Sequence, residues 1–283
     1  MIAISAADRR RRSIIDTIAT GLIVAAGIGV IVPLFAILIF IFFKGLPALS
    51  LDLFTQNPGP TGVPGGGVKN AIVGSLVLLL LAMAMGLPLA IAAGIYLAEY
   101  GRSRLGFAIR FVVDVLAGIP SITIGIFVYT VIVLPMGRFS AFAGGVALAL
   151  IMLPIVARVT EEMLLLVPQI TREAAYALGV PKWRTIITVV VPGAASGIIT
   201  GIVLAAARVA GVAAPLLFTA LGNNFYSRDV LRPIDALPLR IFTYATGPFD
   251  YQHEQAWASA FVLVMLVLAL SVLARAAIQR RAR

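Results

Sequence analysis

Residues 18–43 contain no charged side chain, and so long an apolar run leaves a polypeptide few choices. A helix of about 20 residues crosses the hydrocarbon core of a bilayer. The same kind of run recurs along the chain, which is 61% hydrophobic and 12% charged, with a mean hydropathy of +1.05. A soluble domain of 283 residues cannot hide that much apolar surface. In lipid each backbone N–H and C=O must find its partner within the segment or a closed barrel, and runs of this length satisfy that as helices. The fold class expected is therefore an all-α membrane protein.

Six spans are expected, over residues 18–43, 71–97, 107–133, 139–157, 192–218 and 257–274. The cluster Arg9, Arg10, Arg11 and Arg12 resembles the basic region of a signal peptide. The apolar run after it is too long for one and no small-residue cleavage site follows, so 18–43 is expected to stay as an anchor. With the basic tail 1–17 inside, fifteen of the 22 Lys and Arg side chains fall in internal segments, six fall outside, and Arg208 falls within a span. Cytoplasmic loops carry the excess of Lys and Arg, so both termini (1–17 and 278–283) and the 161–192 loop are expected in the cytoplasm. Outside lie a Gly/Pro-rich segment, 44–70 (PGPTGVPGGG), unsuited to a regular helix, and the segment 219–256. The latter holds Asn223, Asn224, Arg228, Asp229, Arg232, Asp235, Arg240 and Asp250, which reads either as plain solvation or as a docking face for a soluble delivery protein.

The formal charge of +10 falls in short clusters beside apolar runs, a topology pattern and not a nucleic-acid-binding face. No nucleic-acid partner is expected; membrane lipid is. There is no Cys, which removes disulfides and thiol chemistry, and the single His253 reads as a solvated loop residue, so no metal site is expected. A phosphate-binding loop needs Gly-Lys-Ser/Thr. The three lysines, Lys44, Lys69 and Lys182, follow Phe, Val and Pro. No enzyme activity and no bound cofactor are expected, and any ATP and magnesium would sit on partner subunits.

Residues 173–192, EAAYALGVPKWRTIITVVVP, form a polar, alanine-rich stretch between two apolar spans. Thr171 suits an N-cap, Glu173 a helix first turn, Gly179 a C-terminal stop and Pro181 the start of a second helix. Two short helices with small Ala174 and Ala175 on their surface would admit the close approach of another protein. An amphipathic loop without a partner is the alternative.

Arg208 lies sixteen residues beyond Pro192, about 24 Å along a helix. A charge at that depth is costly unless it faces a polar interior. Its planar fork of donors suits phosphate or carboxylate oxygens, although a purely structural ion pair would serve equally. Gly197, Gly201, Ala205 and Gly211 permit close packing in the same span. Arg158, at the end of the fourth span, reads as either topological anchoring or part of the same pathway. Asp114 is a candidate counter-charge, and Pro120, Ser121 and Gly125 interrupt the third span where freed backbone groups can line a cavity.

The stretch EAA, then Gly179, then Pro192 resembles the EAA loop of ABC importer permeases. GGGVKNAIVGS (65–75), LAGIPSITIGIF (116–127), ARVAGVAAPLLFTA (207–220) and LPLRIFTYATGP (237–248) resemble the phosphate branch of that family from about residue 65 onward. The resemblance implies a type I, MetI-like importer permease with six helices and a core over 71–277. It implies a second permease of the PstC type, two ATP-binding subunits that grip Glu173, Ala174, Ala175, Gly179 and Pro181, and a phosphate-binding protein. It also implies that Arg158 and Arg208 attend phosphate passage. The chain departs from the family at Val212, where an acidic residue is usual four positions after Arg208. Either Asp114 or the partner permease would then supply the Arg208 counter-charge, or the site would hold its anion more tightly and release it more slowly. Permeases for sulfate, molybdate or phosphonate, and a stand-alone secondary transporter, are the competing readings.

Overall fold

The computed structural model describes residues 6–227 and 229–281. Residues 1–5, Arg228 and residues 282–283 lie outside them, and with them parts of the expected basic tails and one cation of the 219–256 segment. In chain order the helices are α1 (Ala6–Gly45), α2 (Leu51–Thr55), α3 (Lys69–Tyr100), α4 (Arg104–Gly118), α5 (Ser121–Met136), α6 (Ala141–Leu165), α7 (Gln169–Ala177), α8 (Lys182–Ala210), α9 (Ala214–Thr219), α10 (Leu237–Ala245) and α11 (Asp250–Arg281). Five are long and apolar enough to cross a membrane, and α4 with α5 forms a sixth, bent pair.

The expected third span, 107–133, is not one rod. α4 and α5 meet at 107°. Ile119 precedes Pro120, whose ring disfavours the helical region for the residue before it, and both adopt extended ψ angles of 130° and 138°. The fifth span also starts and ends earlier than expected. Its helix begins at Lys182 and runs through Pro192, because a π-helical turn over Ile186–Val190 absorbs the amide that proline cannot supply. A second π turn, Tyr129–Val133, precedes Pro135 in the same way. α8 ends at Ala210, so Val212, four positions after Arg208, lies beyond the helix and is not one turn along the same helical face.

The core lies between α3 and α6. Gly94 faces Thr160 and Ala157 so closely that an added Cβ would sit 2.5 Å from the Thr160 Cβ, and Gly86 abuts Ala149. Small residues let these helices approach where lipid offers no hydrophobic drive to association. Leu78, Ala82, Ala90, Met152, Val156, Ala157 and Ala205 complete the cluster. α1 packs along α11, with Phe40 edge-on to Trp257 at 5.1 Å, and otherwise presents its apolar surface outward. The 44–70 segment, expected to lack regular helix, contains α2, whose Leu53 amide donates to the Ser50 hydroxyl at 3.2 Å; the Gly/Pro run itself is irregular.

Candidate functional site

Arg208 sits in the last turn of α8. One face of α8, Gly197, Gly201 and Ala205, is taken up by packing: a Cβ on Gly197 or Gly201 would overlap Met163 or Val159 of α6. The adjoining stripe, about 100° around the helix and at four-residue intervals, is Ser196, Thr200, Leu204 and Arg208, and all four are exposed. Arg208 has no ion-pair partner among the described residues. The polar interior expected to receive it is therefore not provided by these residues.

Asp114 is engaged elsewhere. It accepts from Arg158, which also donates to Glu161 at 3.1 Å. Glu161, with a side chain only 5% exposed, accepts in turn from Arg110. Two cations and two carboxylates thus join α4 to α6, and Arg158 lies inside α6, not at its end. Asp114 is not available as the counter-charge for Arg208. Ser121 opens α5, whose Gly125 abuts Pro215 of α9, with a built Cβ 2.6 Å from the Pro215 Cα. The 116–127 and 207–220 stretches thereby touch. Glu161 and Arg110 escaped sequence reasoning, since a carboxylate fifty-one residues from its cation shows no periodic pattern.

The 166–181 elbow holds the other candidates. α7 begins at Gln169, with Pro168 preceding it, so Thr171 is inside the helix and does not cap it. Its end is a Schellman turn: Val180 N–H donates to Ala175 O at 3.2 Å, Gly179 N–H to Tyr176 O at 2.9 Å, and Gly179 has φ +78°. Pro181 precedes α8 as its N-cap. Glu173, Ala174, Gly179 and Pro181 are exposed, while Ala175 is buried. Leu178, 84% exposed, and Trp183, 63% exposed, flank the turn with apolar surface.

At the other end of the molecule, Asp235 and Arg240 are neither solvated nor part of a docking face. They form a buried ion pair, with Arg240 Nε 2.7 Å from Asp235 Oδ2. Asn70 at the start of α3 donates to the same carboxylate at 3.2 Å, and Arg240 donates to Asn224 at 2.9 Å. Burial pushes the Asp235 carboxyl above its usual range, with Arg240 pulling the other way. The Leu237 amide donates to Ser75 Oγ at 2.7 Å, so the 65–75 and 237–248 stretches also meet.

Residues 90–283 match the family described as binding-protein-dependent transport system inner membrane component. The chain belongs to this family. Among relatives of the importer permease, the phosphate transport system permease protein PstA of Yersinia pestis is 52% identical over 243 residues, covering 84% of this chain and 82% of that protein. PstA of Xylella fastidiosa (strain 9a5c) is 49% identical over 239 residues, 84% of this chain and 83% of its own. The fold resembles a chain from the crystal structure of a bacterial ABC transporter involved in import of the acidic polysaccharide alginate, at TM-score 0.67 and 16% identity, over 97% of this chain and all of that one. The permease is accordingly a multi-pass protein of the inner membrane.

Proposed function

We propose that this permease carries inorganic phosphate inward across the bacterial cytoplasmic membrane as one membrane-spanning subunit of an ATP-driven importer. The observation that carries the substrate is the 52% identity to a phosphate transport permease over most of both chains. Arg208 supports it chemically. A guanidinium exposed on the side of a membrane helix, with no ion-pair partner among the described residues, is costly against lipid and well suited to anion oxygens. A second permease of the PstC type would cover this face, so that the pathway runs between the two chains.

In this reading the 166–181 elbow faces the cytoplasm and docks one of two ATP-binding subunits, which hold ATP and magnesium. Glu173, Ala174, Gly179 and Pro181 form the docking surface, and Ala175, expected on it, is buried beneath it and anchors the element. ATP-driven closure of the motors pulls the elbow, tilts α8 and α3, and opens the pathway outward. A phosphate-binding protein then releases its cargo toward Arg208. Arg158 is occupied by Asp114 and Glu161 and meets the anion only by exchanging those partners, while Ser121 sits at the α4–α5 bend beside α9. The test is phosphate uptake into membrane vesicles containing the complete complex. ATP-dependent uptake competed by unlabelled phosphate and not by sulfate is expected; inhibition by sulfate alone overturns the substrate.

A further inference from the structure

Of the nine residues of α7, only Arg172 and Ala175 are buried. The elbow is therefore attached to the rest of the molecule over a narrow area, bordered by an open cleft of about 710 Å³ lined by Leu166, Pro168, Gln169 and Tyr176. At that attachment stands Glu99, one residue before the end of α3, with a side chain only 4% exposed. Arg172 of α7 forms an ion pair with it. Lys182, the first residue of α8, approaches the same residue from the other limb of the elbow. Its Nζ lies 3.8 Å from Glu99 Oε2, 3.0 Å from the Glu99 carbonyl oxygen and 4.0 Å from the centre of the Tyr100 ring. Arg172 also donates to the Leu164 carbonyl at the end of α6, at 2.7 Å. One buried carboxylate thus receives a cation from each limb of the elbow and fastens both to α3 and α6.

We propose that Glu99 is a positioning residue for transport, the point through which movement of the elbow is passed to α3. The inference rests on the reading of the elbow as the ATPase docking element. A buried ion pair suits this role better than apolar contact, because it is directional and strongly resists separation once its partners are out of water. α3 is also the helix most closely packed on α6, so a pull on Glu99 displaces the centre of the bundle.

The test measures phosphate moved per ATP hydrolysed by the complete complex in proteoliposomes. A variant that only reduces the amount of folded complex lowers both quantities and leaves their ratio unchanged. Glu99→Gln is expected to lower the ratio by about twofold to thirtyfold, the range of coupling changes seen along connecting networks. Glu99→Asp, which keeps the charge, is expected to recover most of it. An unchanged ratio in Glu99→Gln overturns the proposal. If that variant does not assemble, Lys182→Met decides: it removes a half-exposed cation without stranding a buried charge. There a fall of about twofold supports the proposal and an unchanged ratio overturns it. A wild-type complex that hydrolyses ATP without moving phosphate overturns the proposed function itself, and does so before any variant is compared.

Discussion

Arg158 is neutralised within the chain by Asp114 and Glu161, whereas Arg208 has no such partner among the described residues, and this difference sets what each can offer an anion. An arginine with satisfied donors must surrender a carboxylate before it binds phosphate; one without can bind at once. Arg208→Gln is therefore expected to lower phosphate uptake by about 10- to 100-fold, the worth of one or two charge-assisted hydrogen bonds, while the complex remains assembled. Uptake assays paired with pull-down of the partner subunits check this, and normal uptake would remove Arg208 from the pathway. That Arg208 is out of place was legible in the sequence, because a charge within an apolar run is conspicuous. Its isolation was not, since Asp114 looked equally placed to serve either arginine. Only the fold brings Asp114 to Arg158 across forty-four positions. Separations of 51, 73 and 165 residues likewise hid the contacts of Glu161 with Arg110, Glu99 with Arg172 and Asn70 with Asp235.

The helices announced themselves by length and hydropathy, but their ends did not. Prolines caused the differences in both directions. Pro120 breaks a run that looked continuous, because the chain cannot turn back into a helix across Ile119–Pro120 without an extended step. Pro192 looked like a span boundary and lies inside α8, since the π turn before it removes the clash. Of the elbow between α7 and α8 the turn residue was legible, as a glycine after a helix is a local feature with a local cause; the expected second short helix is instead the start of the long α8. Apart from Gly179 and its chain neighbours, no atom of the described residues lies within 4 Å of a Cβ built at Gly179, so its role is not internal packing. Gly179→Leu places a branched side chain at φ +78° and on the exposed docking surface. The left-handed conformation alone costs roughly 1–2 kcal/mol, enough to weaken association with the ATP-binding subunit by about 5- to 30-fold. Gly179→Asn, which tolerates that conformation better, separates the two effects. Near-normal binding for Asn with weak binding for Leu, measured by pull-down, is the expected result, and unchanged binding of Leu would end the docking reading.

At the scale of the molecule, one helix has two faces with different fates. Gly197, Gly201 and Ala205 turn α8 into α6, which leaves Ser196, Thr200, Leu204 and Arg208 on a surface that this chain does not cover. Lipid is a poor neighbour for such a stripe, because a guanidinium with no ion-pair partner among the described residues is costly against hydrocarbon. In the proposed complex a second permease enclosing a watery path would remove that cost, and the single chain would be only half of a transporter. The absence of cysteine allows a direct test, for Thr200→Cys and Leu204→Cys each create a lone thiol. In the assembled complex both are expected to react with a membrane-impermeant maleimide. Trapping the ATP-bound state should change their rates by about tenfold as the accessible state passes from minor to dominant, and in opposite directions for reagent added from the two sides. A stripe facing lipid would behave otherwise: only permeant reagents would reach it, at rates indifferent to nucleotide. That result would put Arg208 outside any pathway and leave the proposed route for the anion without its charge.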